Sequence, residues 1–423
     1  MSTDNGRLSI PTFVFINQSE DISDALNLFY PPRIMATKEP AYPFGRADLP
    51  EDHLGYEASK SMFNDVLKRV FEHTRAFTIV YERYHVNPVY RDSYYSYFAG
   101  QHFDISRFTG RCFFFEGDYT DLNMFSPDHL NDMTHDFIGT CIIYPTEAQT
   151  LGRVLFKPQF IMDRAQSSRV RLTDYSVSVF GVRLHIRAFP FQMQDRETTR
   201  CAEVTLLNLL DYYGNTYNEY RTYLPGEIVH MEEQFTMDRT LPSRGINYAI
   251  MSRMLTRCGF SPRLYSKNAL KRENGNEDDN DWKNGEMRRI LHYYIESGIP
   301  VAVNITRKNS PGHSLICIGY NEKEEKDVNG EQITCKIAMI NAADFYRSYV
   351  LIDDNQLPYS VREYDSLSSH YGYSVENILV PLYKRMCLEA TDAYDVAIVN
   401  DNSLFTKRTS TKKQASCSAE RMS

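Results

Sequence analysis

Apolar positions along this chain change their period several times, and each change marks an element. A short apolar run at 13–16 reads as a strand, whereas SKSMFNDVLKRVFEHT spaces its apolar residues three and four apart and predicts an amphipathic helix. DFIGTCIIYPTEAQTLGRVLFKP reads as two β runs flanking a turn, and strand patterning resumes in SVSVFGVRLHI. CAEVTLLNLLDYYG then predicts a helix stopping at Gly214, with Val204, Leu206, Leu207, Leu209 and Leu210 so nearly surrounding it that it should be buried and central. GINYAIMSRMLTRCGF and MRRILHYYIESG predict two further helices, the second ending at Gly298, and IPVAVNI reads as a buried strand.

Strands and helices in this order predict an α+β protein. With domains of about 150 residues, a chain of 423 should hold two or three. We expect a mixed α/β N-terminal domain over 1–175, a second domain over 176–385, and a C-terminal helix with a basic tail over 386–423. The tail TKRTSTKKQASCSAERMS, which includes Cys417, lacks core-forming residues and should be disordered. KRENGNEDDNDWKNGE, around Trp282, should be an exposed loop, and the tyrosine-rich stretch 81–98 a half-buried packing layer. No internal repeat, phosphate loop, HExxH helix or calcium loop appears, and no cofactor is implied.

Charge and cysteine usage narrow the classes. A net charge of -8 without clustered Lys and Arg argues against nucleic acid as a partner. No run of about eighteen apolar residues predicts a membrane span, and no secretory signal is recognisable. The eight cysteines form no CxxC pair, which argues against a disulfide framework or a zinc site and points to a reducing cytoplasm where a thiol stays free. Cys141, Cys258 and Cys317 sit in apolar surroundings and read as packed core.

Cys201 reads differently because it opens the central helix. The N-terminal end of a helix dipole favours a thiolate, Arg200 adds a positive charge, and the polar lead-in QDRETTR should arch over a cleft. A thiolate needs a proton-transfer partner, and His313 stands where NSPGHSLICIGY passes from a Gly-containing turn into an apolar run. The imidazole in turn needs an acceptor, and YVLIDDNQLPY ends its apolar run in Asp353 and Asp354. Strand alternation predicts that only one of them faces the ring, and we take Asp354 as that acid with Asp353 as the alternative. Gln194 is placed to donate its amide to an oxyanion, with Gln192 in reserve. His230, His292 and His370 lack such a pattern and read as structural.

In that order, a Gln before a helix-opening Cys, a Gly-His entering a strand and an Asp ending the next strand resemble the papain-like cysteine peptidase superfamily. QDRETTRCAEVTLLNLLDYYG, GIPVAVNI, GHSLICIGY and YVLIDDNQLPY look most like the peptidases that remove double-glycine leaders, over 190–359. GTCIIYPTEAQTLGRVLF with PFQMQD and CAEV also looks like an arrangement in bacterial proteins. The resemblance implies a papain-like C-terminal domain whose central helix packs on an antiparallel sheet. It makes Cys201 the nucleophile, His313 the base, Asp354 the orienting acid and Gln194 the oxyanion donor, acting on a peptide or protein substrate that the N-terminal domain selects or gates. The sequence departs from the pattern in having Glu203 and Val204 after the nucleophile and one extra residue between Gln194 and Cys201. Two other readings use the same residues: a transglutaminase or acyl transferase, disfavoured by the lack of a Trp beside the nucleophile, and a degenerate peptide-binding module.

Overall fold

The computed structural model describes residues 11–31, 51–101, 105–237, 240–271, 279–307, 312–322, 343, 348–365, 373–386, 388–393 and 396. Its N-terminal part is built on an antiparallel sheet of β1 (Thr12–Ile16), β2 (Phe77–His85), β3 (Thr109–Glu116), β4 (Phe137–Ile143) and β5 (Leu151–Phe156), in that spatial order. α1 (Asp21–Phe29) and α2 (Glu51–Thr74) bury Phe29, Phe63, Val66 and Leu67 against one face, together with Ile79, Cys112, Phe114 and Cys141. The tyrosine-rich stretch forms the end of β2 and α3 (Pro88–Ser96), and Tyr90 packs with Phe98, Ile142 and Tyr144 as a packing layer. α4 (Leu130–Asp136) leads into β4.

The other face of this sheet is covered by a hairpin. After β6 (Ser168–Val170) come β7 (Thr173–Val179) and β8 (Val182–Ala188), each strictly alternating buried and exposed residues. Their inward residues Tyr175, Val177, Val179, Val182, Leu184 and Ile186 meet Val80, Phe113 and Phe115. Phe180 (φ +48°) and Gly181 (φ +88°) make the two-residue left-handed turn that matches strand twist. The expected boundary at 175/176 therefore falls inside β7, and the hairpin packs on the N-terminal sheet. Turn-bounded alternation marks a strand, and it does not reveal which core the strand covers.

The second half holds α5 (Cys201–Thr216), α6 (Pro225–Glu232), α7 (Tyr248–Arg257), β9 (Arg263–Ser266), α8 (Asn280–Glu296), β10 (Val301–Arg307), β11 (His313–Asn321), β12 (Ser348–Ile352), β13 (Ser360–Glu363) and β14 (Tyr373–Val380). The strands form an antiparallel sheet in the order β13-β12-β11-β10-β14-β9, and β6 joins it along β11. Gly319 permits that junction, since a Cβ there would collide with the Arg169 carbonyl. α8 buries Met287, Ile290, Leu291, Tyr294 and Ile295 on one face of the sheet with Leu315 and Cys317. α5 lies on the other with Ile316, Ile318 and Val350. The α+β class expected from the pattern is what the chain adopts.

Three expectations shift at the element level. α5 runs two residues past Gly214, because this glycine serves close packing: a Cβ would lie 2.5 Å from the Arg221 carbonyl carbon and the Thr222 nitrogen. The polar segment expected as a loop over 271–286 supplies the first turns of α8 from Asn280 onward. Gly298 does end its helix, at φ +88°, with Ile299 N–H returning to Tyr294 O. The basic tail and the centre of the acidic segment, 272–278, lie outside the described residues, as do His370 and Cys417. No helix among the described residues is long and apolar enough to cross a membrane.

Candidate active site

Cys201 is the first residue of α5, with extended Arg200 as its N-cap. The next residues, Ala202 to Leu210, are all buried, so the helix is pinned in the core while Cys201 itself is half-buried at its start. The lead-in is fixed by Asp195. Its carboxylate accepts from the backbone N–H of Glu197 (3.0 Å), Thr198 (2.7 Å) and Thr199 (2.8 Å) and from the Thr198 hydroxyl. Burial pushes the Asp195 carboxyl up despite these bonds. Arg196 stands within this turn at φ +65°, a left-handed conformation that a non-glycine residue adopts at some expense. On the far side, Ser243 N–H donates to Glu197 O (2.7 Å) and Arg200 Nε to Ser243 O (2.9 Å), tying the lead-in to the segment before α7.

His313 opens β11, and the pairing of Ile316 with Ile352 brings the end of β12 alongside it. The imidazole Nε2 lies 2.8 Å from Asp353 Oδ1 and 3.5 Å from Asp354 Oδ1. Burial works against charge on this ring, but the hydrogen bond to Asp353, the Cys201 thiol and the charges of both carboxylates outweigh it and push the imidazole well above its ordinary value. With Nε2 on Asp353, Nδ1 is the ring nitrogen left to face the sulfur. Imidazole and carboxylate are thus joined directly, and the thiol that opens α5 also favours charge on the ring.

The acid that holds the ring is Asp353, which corrects the preference for Asp354. Asp353 Oδ1 also accepts from Asn355 N–H (3.0 Å), an Asx-type turn that aims the carboxylate at His313. Strand alternation does not separate the two acids because both lie beyond the end of β12, in a turn. Asp354 points inward: its residue is 4% exposed and neither carboxylate oxygen has a hydrogen-bond partner among the described residues. Burial pushes its carboxyl up to about 7, opposed by the nearby His313 charge and reinforced by Asp353.

Gln194 is half-buried and lines a small cavity with Thr150, Met193, Arg196, Asp354 and Asn355. Its amide makes no hydrogen bond among the described residues. Gln192 is buried, on a segment whose neighbours Phe191 and Met193 extend the edge of β5 through Val154 and Leu151. Gly55 and Ala58 of α2 line the same small cavity, so the N-terminal part reaches the site directly. A cleft of about 520 Å³ lies between α2 and residues 355–362 and meets the constellation only at Asn355. It lies beside the acids and is not lined by the thiol.

Several supporting groups were not read from the sequence. Glu203, buried two residues after Cys201 in α5, accepts from the Ser243 hydroxyl at 2.5 Å; burial pushes its carboxyl up against that bond. Ser314, next to His313, donates to Thr205 Oγ1 (3.0 Å) and shares a 2.9 Å hydrogen bond with Tyr248 OH, joining β11, α5 and α7. The spacing of Asp195 from Thr198 and Thr199, and Asp353 two residues before Asn355, are Asx-turn signals that the sequence did carry. Cys141, Cys258 and Cys317 are free, buried thiols. His292 is buried against Tyr320 and Tyr349, and His230 is exposed beside Glu233.

His313, Asp353 and Asp354 could together offer a cation one nitrogen and two oxygens, since one donor atom from each lies within 4.8 Å of the others. Such an ion would displace the proton shared by Nε2 and Asp353. No protein-family model and no curated protein matches the sequence.

Proposed function

We propose that this protein is a thiol hydrolase of the papain-like type, cleaving peptide bonds through Cys201, His313 and Asp353. The observation that carries the reading is the 2.8 Å contact of His313 Nε2 with Asp353 Oδ1, on a ring whose charge the helix-opening Cys201 also favours. The sulfur stands between an imidazolium and the free N–H groups of the first turn of α5, both of which favour negative charge there. In the reaction Sγ bonds to the scissile carbonyl carbon, the C–N bond breaks, and the imidazolium gives its proton to the departing amine. Water then attacks the thioester with its proton passing to the imidazole, and the acid and the thiol are released. The Cys201 N–H and the free Gln194 amide are the donors offered to the oxyanion.

A reducing compartment such as the cytoplasm keeps Cys201 a free thiol, and the N-terminal part, which contributes Gly55 and Ala58 to the adjoining cavity, selects or gates substrate. The test is alkylation by iodoacetamide at pH 7, followed at each cysteine by peptide mapping. Cys201 should react at least about tenfold faster than an unperturbed thiol, and Cys201→Ala should abolish hydrolysis of a peptide mixture. A Cys201 no more reactive than a free thiol, with no activity lost in the alanine variant, overturns the reading.

A further inference from the structure

His313, Asp353 and Asp354 offer more than a hydrogen bond. One ring nitrogen and two carboxylate oxygens lie within 4.8 Å of one another where His313 opens β11 and the acid pair follows β12. Nε2 is 3.5 Å from Asp354 Oδ1 and 2.8 Å from Asp353 Oδ1. Two ligands held by zinc at ordinary bond lengths and a tetrahedral angle stand about 3.4 Å apart, so the Asp354 spacing suits an ion as it is, and the Asp353 contact, closed on a shared proton, needs to open by about half an ångström. The His313 and Asp353 side chains are 16% and 17% exposed, which leaves an ion a way in.

Two buried groups beside these atoms lack the donors and acceptors that burial calls for. Asp354 is 4% exposed, yet neither of its carboxylate oxygens has a hydrogen-bond partner among the described residues. The His313 charge acts on it, and more weakly so does the Arg196 guanidinium that shares its small cavity, but neither donates a hydrogen bond to it. Thr150, 3% exposed on the wall of the same cavity, has a hydroxyl without a partner as well. Burying a carboxylate without donors is unfavourable, and metal coordination is one of the few ways to relieve it. The cavity measures about 20 Å³, room for one water, and a zinc ion with three protein ligands carries one as its fourth. Charge agrees: two carboxylates and one imidazolium leave a negative charge uncompensated, whereas two carboxylates, a neutral imidazole and a divalent cation balance.

We propose that His313, Asp353 and Asp354 form an inhibitory site for zinc, which holds the thiol hydrolase off while bound. This rests on the thiol-hydrolase reading and adds its regulation. Imidazole nitrogen joined with carboxylate oxygen suits zinc, whereas magnesium and calcium prefer oxygen alone. On binding, a metal–nitrogen bond replaces the N–H bond at Nε2, and that proton leaves to solvent. The ring's remaining proton, on Nδ1, then belongs to a neutral coordinated imidazole, a far weaker acid than imidazolium, so proton delivery to the departing amine fails. The thiolate keeps a positive neighbour in the ion, and its reactivity toward an alkylating agent, which needs no proton donor, is retained.

The full chain, stripped with a chelator and desalted, is titrated with zinc against a chromophoric zinc indicator. One ion should bind per chain, and magnesium at the same concentration should not displace it. Asp354→Asn should weaken binding at least about tenfold, whereas Cys201→Ala should leave the affinity within about twofold. Cobalt bound in place of zinc to the unmodified protein should show ligand-field absorption without a thiolate charge-transfer band, which reads the ligands without any variant. Zinc at about ten times its Kd should lower kcat/KM on a peptide about tenfold, while the rate of iodoacetamide alkylation at Cys201 changes less than about threefold. No zinc binding, an affinity indifferent to Asp354→Asn, or full activity at saturating zinc overturns the proposal. So does binding that vanishes in Cys201→Ala or a thiolate band in the cobalt spectrum, which would show zinc captured by the thiol instead. Asp354-dependent zinc binding in a protein that cleaves no peptide with or without the metal supports the metal site and sinks the hydrolase reading, and a peptidase that binds no zinc does the reverse.

Discussion

At the scale of single residues, Asp353 and Asp354 are chemically identical neighbours that one turn puts to different uses. Asp353 is braced by Asn355 N–H and bonded to His313, so Asp353→Asn should lower kcat/KM by about 10²–10⁴-fold. It should also move the alkaline limb of the kcat/KM profile to lower pH, because the variant imidazole loses the partner that raises its pKa. Asp354→Asn should cost much less activity and should change stability with pH. The Asp354 carboxyl is raised from its ordinary 3.8 to about 7, so its native form favours the proton. The stability this gives is complete below about pH 4 and is lost as pH rises through about 7. Asp354→Asn should therefore gain stability over the unmodified protein as pH is taken from 5 to 8, read by denaturant midpoints. His313, with its raised pKa, stabilises fully below its ordinary 6.5 and loses that contribution only as pH rises through the elevated native value, so it adds to the same downward trend. Cys201, His313 and the acid pair were legible in the sequence because each sits at an element terminus marked by a composition change. The choice between the acids was not, since it depends on a turn beyond the reach of strand periodicity.

At the scale of elements, α5 carries the nucleophile and its position depends on contacts at both ends. Asp195 gathers three backbone N–H groups before the helix, so Asp195→Ala should cost about 2–3 kcal/mol by leaving buried donors unpaired. It should also slow alkylation of Cys201, a readout that simple loss of stability in a still-folded protein would not move. Gly214 meets the 221–222 backbone near the other end, so Gly214→Ala should shift the helix and cost about 1–3 kcal/mol in a denaturant titration. The helix itself was legible from its apolar positions, but its end was misplaced: a glycine signals either a left-handed stop or a close approach, and only the packing partner distinguishes them. The first turns of α8 were missed for a related reason. Asn280 to Glu286 are polar enough to read as loop, and their helix is propagated from the apolar face that starts at Met287.

At the scale of the whole molecule, the two halves are held together by more than a linker. One cluster of buried side chains runs from Phe63 and Phe114 through Val154, Phe156, Phe189 and Phe191 to Ala202, Leu206 and Leu210. Arg153 of β5 forks onto Asp211 of α5, with Nε to Oδ2 at 3.0 Å and Nη2 to Oδ1 at 2.6 Å. Tyr359, buried in the loop after the acid pair, accepts from Phe189 N–H (2.9 Å) and donates to Phe156 O (3.0 Å). No sequence pattern could reveal this sharing, because a strand exposed on one sheet and buried by another chain segment looks the same as one buried within its own domain. A fragment over 176–385 would begin inside β7, lose the sheet that β7 and β8 cover, and expose the apolar side chains of α5 that share a core with Val154 and Phe156. Such a fragment should lack cooperative unfolding and should be cut rapidly by a nonspecific protease, whereas the full chain resists it. Tyr359→Phe tests the same seam without truncation. It removes the hydroxyl from two buried backbone partners and should cost about 1–3 kcal/mol. Because the loop it anchors also carries Asp353, that loss should come with a fall in Cys201 alkylation rate; a cleanly folding 176–385 fragment with a reactive Cys201 would show instead that the site is held by the second sheet alone.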